Sequence, residues 1–528
     1  MAKTITPRQL RQHWLDGREI ALVDVREEGP YAESHPFFAL SVPVSEVQVR
    51  LPVLIPRLGA PVVVYDDGEG YVERAAVLTS ALGYREVYIL EGGLSGYEKV
   101  GELFRDVNVP SKAFGELVEA IRKTPFLRAP EVKEVLESDR NVVVLDARRF
   151  EEYNTMSIPK GQSCPGGELL YRVFDAAPDP STTVIVHCAG RTRSIVGTQS
   201  LVNAGIPNRV VALENGTIGW TLAGFKLDTG RDLRIRPPST EALQKAQKHA
   251  KEWAEHVGVP VIDGEQLRHF AASVEERTTY FLDVRDPTEY AQGHPAGFVS
   301  APGGQLVQAT DEWVGVRGAR IVLYDTGGVR GLMTASWLLQ LGWDVSVLRE
   351  DISVPDDLIP ARKIKGIPHS SASIDVQALM AASDMTIVDL ARSPAYQKGH
   401  IPGAWFASGP ELVRDLGRVP GAGPIVLTSP DGQVALANVE NARQEINRDI
   451  LYLVGGTAAW IVGEQPMETE TRWLSEPIDV YKRPYEGTEN AVEAMQGYID
   501  WEHGLVAQLA NDGISGFRVV REKSSGSA

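Results

Sequence analysis

Apolar and polar positions alternate along this chain in a pattern that repeats on the scale of a small domain. Four times a short β-branched run ends in an aspartate before a turn: ALVDV at Asp24, VVVLD at Asp146, YFLDV at Asp283 and TIVDL at Asp389. A second apolar run follows each one, ending at Asp66, Cys188, Asp325 and Ser429. The interval from first to second marker is 42 residues in the first three copies and 40 in the fourth. A third run (YILEGG, VALENG, VSVLRED, LYLVGG) then places Leu90, Leu213, Leu348 and Leu453 at 24, 25, 23 and 24 residues beyond the second marker. Agreement of three landmarks in four copies identifies tandem repeats of one domain.

Runs this short and this apolar suit strands buried on both faces of a parallel sheet. Helical patterns lie between them. In TRSIVGTQSLVNAG, Thr192 to Gly205, apolar positions fall at helical spacing and a glycine stands where a helix would stop. VERAAVLTSALG and GLMTASWLLQLG repeat the pattern in the first and third copies. Strand, helix, strand in this order predicts an α/β fold, each domain a doubly wound, mainly parallel sheet flanked by helices. The expected division is domain 1 over 1–110, domain 2 over 111–238, a linker helix over 239–257, domain 3 over 258–352, a linker over 353–372, domain 4 over 373–465, and a C-terminal extension over 466–528. In that extension, TENAVEAMQGYIDWEHGLVAQLAND is expected to be a helix packed back on the last domain, and REKSSGSA a frayed tail.

Composition narrows the function classes. With 70 acidic against 53 basic residues the net charge is −17, which disfavours bulk binding to nucleic acid or anionic lipid. No apolar run approaches the ~20 residues of a spanning helix, and MAKTITPRQLRQHWLDG holds no secretory core. A cytoplasmic protein is the expectation. Two cysteines cannot build a disulfide framework, and no metal or cofactor site is expected.

The candidate chemistry lies in VIVHCAGRTRS, Val184 to Ser194. Ligands of open α/β sheets bind beyond the carboxyl ends of strands, where Asp66, Cys188, Asp325 and Ser429 all fall. The loop Cys188-Ala189-Gly190-Arg191-Thr192-Arg193 carries two cations and leads to Ser194 in a helix. Backbone amides closing onto a helix N-terminus form an anion nest. The same positive field favours a thiolate, the nucleophilic form of cysteine. Cys188 is therefore the expected catalytic residue, with Ala189, Gly190, Arg191, Thr192, Arg193 and Ser194 binding substrate. Asp66, Asp325 and Ser429 should leave the other copies chemically silent. Cys164, in SCPGGELL, matches Ala301 in SAPGGQLV and is expected to pack rather than react. His187, one residue along the strand, should point away from the loop. Trp220 suits either a pocket wall or plain core. Asp146 and Arg148 recur in silent copies and are expected to be structural support.

With these residues in hand, the chain resembles the rhodanese sulfurtransferase family over four tandem copies. The resemblance rests on the Asp-x-Arg element (Asp24–Arg26, Asp146–Arg148, Asp283–Arg285), the acidic-aromatic pairs Glu152-Tyr153 and Glu289-Tyr290, the GHIPGA stretch from Gly399 to Ala404, and the six-residue loop from Cys188. It implies a ping-pong reaction. Cys188 takes a sulfane sulfur from a small anionic donor, thiosulfate or a small persulfide, and passes it to a thiol, cyanide or protein thiol. It also implies that Arg191 and Arg193 hold the donor's anionic group. The loop matches neither the usual thiosulfate pattern nor the usual mercaptopyruvate pattern, so thiosulfate, a glutathione-type persulfide and mercaptopyruvate all stay open as donors. Two alternatives stay open: a cysteine-loop phosphatase or arsenate reductase, whose loop would be one residue longer, and a sulfur-carrier or scaffold protein whose silent domains bind a partner.

Overall fold

The computed structural model describes residues 3–138 and 140–521. The tail 522–528, within the segment expected to be frayed, lies outside the described residues. Four five-stranded sheets share one strand order, and every pairing within them is parallel. In the second copy the strands are β1 (Phe126–Leu127), β2 (Val142–Asp146), β3 (Gly161–Ser163), β4 (Thr183–His187) and β5 (Val210–Leu213), arranged β3-β2-β4-β5-β1. The first copy adds a two-residue antiparallel pairing of His35–Pro36 with Leu103–Phe104.

Strand alternation explains the unbroken apolar runs. Val143, Leu145, Val184 and Val186 face one core, while Val144, Ile185 and Val211 face another on the opposite side of the same sheet. Trp220 belongs to the second core, its indole N–H donating to the Lys226 carbonyl at 2.9 Å. Cys164 belongs to the first, fully buried.

The chain divides into two compact units that do not follow chain order. One holds 1–13, 19–107 and 362–481, the first and fourth copies; the other holds 14–18, 108–361 and 482–528, the second and third. Within the second unit the paired copies meet through homologous Pro-Gly-Gly turns. A Cβ on Gly167 would stand 2.8 Å from the Gly304 nitrogen, and one on Gly304 would stand 2.6 Å from the Gly167 nitrogen. Only glycine permits that backbone approach. In the first unit the corresponding turns also meet, Gly409 lying against Ser45. The helix Thr240–Val257, capped by Ser239 accepting from the Ala242 N–H, joins copies two and three and adds Ala246, Ala250 and Trp253 to the core.

The C-terminal helix departs from expectation. Four helices matter for the site: α1 (Val109–Arg122), α2 (Thr192–Ala204), α3 (Gly216–Leu222) and α4 (Val492–Asp512). Helix α4 packs on α1 and α3 and belongs to the unit of the second and third copies, where the expectation had placed it on the fourth. The reason is its apolar face. Met495, Tyr498 and Ile499 close a cluster with Ala189 and Ile218, next to the candidate loop. Among the described residues, no helix is long and apolar enough to cross a membrane.

Candidate active site

Strand β4 ends at His187, and the loop beyond it turns directly into α2. Cys188 sits at the start of that loop with 2% of its surface exposed. Its Sγ accepts the Ser194 N–H at 3.3 Å and lies 3.5 Å from Ser194 Oγ, which donates to the Arg191 carbonyl at 2.7 Å. The helix N-terminus thus points at the sulfur, where an amide dipole stabilises negative charge.

The third sequence landmark supports this loop from below. Asn215 and Gly216 adopt left-handed backbone, and the Thr217 N–H donates to the Cys188 carbonyl at 2.9 Å. A Cβ on Gly216 would fall 2.3 Å from that carbonyl, so the turn admits only glycine there. Gly93 and Gly456 occupy the same place beneath Asp66 and Ser429.

Both loop arginines are held by carboxylates. Arg191 pairs with Glu116 (Nε–Oε1 2.7 Å) and Glu119 of α1, and donates to Asn215 Oδ1 at 2.9 Å. Arg193 makes a two-pronged contact with Glu152 at 2.7 and 2.8 Å. Burial favours the neutral form of Glu152, but the Arg193 charge prevails and holds its carboxyl down at about 2. The acidic-aromatic pair of the sequence therefore has two jobs. Glu152 fixes the loop, and Tyr153 donates to the Gly161 carbonyl at 3.0 Å. Glu116 and Glu119 lie outside the repeated pattern, and nothing in the sequence singled them out.

Asp146 and Arg148 form a buried pair at the end of β2, at 2.7 Å. Burial opposes the charge on Asp146, yet Arg148 and His187 draw its carboxyl down to about 2. His187 is fully buried, with Nε2 3.4 Å from Asp146 Oδ2 and 3.3 Å from Ser157 Oγ. Burial pushes its pKa down despite Asp146, so at neutral pH it is an uncharged structural link. Burial likewise pushes the Cys164 thiol far up, out of reach of thiolate chemistry at neutral pH.

The sister loops show what replaces the sulfur. Asp325 accepts the N–H groups of Gly327, Val329 and Gly331, each at 3.1 Å, and pairs with Arg330. Asp66 accepts from Gly68, Gly70 and Tyr71 at 3.1, 2.9 and 2.7 Å. Each carboxylate fills its own anion nest. The Ser429 hydroxyl accepts the Ala435 N–H at 3.3 Å. In the second copy alone, a thiol stands at this position.

The site is a cysteine at the strand-end loop of a doubly wound parallel sheet, set on the N-terminus of a helix. The family model described as "Rhodanese-like domain" matches residues 6–100, 128–223, 267–354 and 374–462. The structure is similar to that of thiosulfate sulfurtransferase from Pseudomonas aeruginosa, with 48% identity, a TM-score of 0.94, and 98% of this chain and 100% of that chain covered. A rhodanese-related protein from Thermoplasma volcanium matches 19% of this chain and 98% of its own, at 21% identity and a TM-score of 0.18. A search of curated proteins gave no match. The chain belongs to the rhodanese family and is a rhodanese-type sulfurtransferase.

Proposed function

We propose that this chain moves a sulfane sulfur from a small anionic donor, thiosulfate or a low-molecular-weight persulfide, through a Cys188 persulfide to a thiol or cyanide. The observation that carries the reading is the contrast among the four loops: Cys188 occupies the place that Asp66 and Asp325 fill with carboxylates bonded to their own amides. The likeness to a thiosulfate sulfurtransferase supports thiosulfate as donor.

In the donor step the Cys188 thiolate attacks the outer sulfur of thiosulfate. The new Sγ–S bond forms as the S–S bond of the donor breaks, and its electron pair leaves with sulfite. In the acceptor step a thiolate or cyanide bonds to the outer sulfur, and the electron pair of the Sγ–S bond returns to Cys188. The amides from Ala189 through Ser194 would cradle the transferred sulfur and the donor's anionic group. Arg191 and Arg193, tied to Glu116, Glu119 and Glu152, would serve by holding that cradle in shape.

The test is thiocyanate formation from cyanide with thiosulfate and, in parallel, with mercaptopyruvate. Wild-type protein should turn over thiosulfate faster, and Cys188→Ser should abolish turnover while Cys164→Ser retains it. Turnover surviving in Cys188→Ser would contradict the proposal.

A further inference from the structure

The wall that covers the Cys188 loop comes from outside the four repeats. Residues 482–512 follow the last copy and pack on the second, so whatever they shape belongs to this one site. Tyr485, Met495, Tyr498 and Ile499 cluster on Ala189 and Ile218. Gly190 lies directly beneath: a Cβ there would stand 3.4 Å from Tyr498 Cε1 and 3.5 Å from Glu502 Oε2. The Tyr498 hydroxyl donates to Glu502 Oε1 at 3.2 Å, fixing the carboxylate over the loop backbone. Because Cys188 is almost fully covered, a molecule reaching Sγ must pass atoms packed around this loop, and on the Gly190 side those atoms belong to Tyr498 and Glu502.

Charge at this wall is not that of an open cationic pocket. Arg191 is met by Glu116 and Glu119, and Arg193 by Glu152. Glu502 adds another carboxylate close enough to strengthen the proton on Arg191. A further cation, Lys112, is 97% buried, its Nζ 5.5 to 6.0 Å from the ring centroids of Tyr498, Trp501 and Tyr485. Carboxylates thus meet both loop arginines where exposure is low, and there a charge acts more strongly than in water.

We propose that Glu502, positioned by Tyr498, is a specificity-determining residue of the sulfur-transfer site, selecting small acceptor thiols that bring no second negative charge and rejecting multiply anionic ones. This rests on the sulfurtransferase reading above. A dianionic acceptor would carry its extra charge past the Glu502 carboxylate, whereas a neutral thiol bears only the charge of its reacting sulfur.

The experiment loads the full-length protein with sulfur from thiosulfate, removes the excess, and follows discharge of the persulfide by 2-mercaptoethanol and by mercaptosuccinate at one pH. In Glu502→Gln, the rate with mercaptosuccinate relative to mercaptoethanol should rise on the order of tenfold over wild type. Glu493→Gln, an equal charge change on the exposed face of the same helix, should leave the ratio unmoved. Wild-type protein that never loads would overturn the sulfurtransferase reading and this inference with it. Protein that loads and discharges with an unchanged ratio in Glu502→Gln overturns this inference alone.

Discussion

One aspartate at one place in each copy shows how a single neighbour sets its chemistry. Asp24, Asp146 and Asp283 are each clamped by an arginine two residues on, at 2.6, 2.7 and 2.6 Å. In the fourth copy that arginine is Ala391, and the Asp389 carboxylate accepts the Ala391 N–H at 2.8 Å. Burial then dominates, the Ala391 N–H and His400 offset it only in part, and the Asp389 carboxyl is pushed up to about 6. The two cases give opposite pH dependences. Asp146, held at about 2, contributes stability that is present above the ordinary aspartate range near pH 4 and is lost as pH falls toward 2. Asp389 favours the folded state most below about pH 4 and loses that contribution as pH rises through about 6. Denaturant titrations should therefore show Asp389→Asn flattening the slope between pH 4 and 6 and stabilising the protein at pH 7. Asp146→Asn should instead cost about 3–5 kcal/mol at pH 7, since it leaves Arg148 buried without its counter-charge. An unchanged slope in Asp389→Asn would contradict the assignment.

At the scale of the loop and its helix, the silent copies explain the active one. Asp325 satisfies three amides and one arginine by itself. Arg330, matching Arg193, is fully buried between Asp325, Glu289 and Glu168. Copy two keeps the same frame, with Glu152 on Arg193, but leaves the nest for a sulfur. Cys188→Asp should accordingly fold, with a stability equal to wild type or raised by about 1 kcal/mol, while losing all transfer. Thermal unfolding and a thiocyanate assay would check both halves, and a large loss of stability would show the two loops to be built differently. This element was legible in the sequence because its landmarks are local and repeated: the strand run, the glycine turn, the basic loop. The partners of Arg191 were not legible. Glu116 and Glu119 sit more than 70 residues away on a helix with no counterpart motif, and only tertiary packing brings them to the loop.

For the whole molecule, the sequence shows four copies but not which copies pair. Pairing depends on surfaces, and the Pro-Gly-Gly turns that join copies two and three look in sequence like any other turn. The docking of α4 was hidden for the same reason: its apolar face fits any apolar partner, and chain proximity pointed to the fourth copy. The structure makes the pairing testable. Gly304→Val would drive a side chain into the Gly167 backbone and should destabilise the second unit by at least the about 1–3 kcal/mol typical of overpacking. Gly293→Ala, where nothing lies within 4 Å, should change little. Equal effects of the two would refute the close contact.

The central claim, a single reactive sulfur in four similar pockets, is tested most directly by peptide mass mapping after incubation with thiosulfate. The account predicts a gain of one sulfur, about 32 Da, on the peptide bearing Cys188 and its loss on adding a thiol. An adduct confined to Cys164, or none on either cysteine, would contradict it.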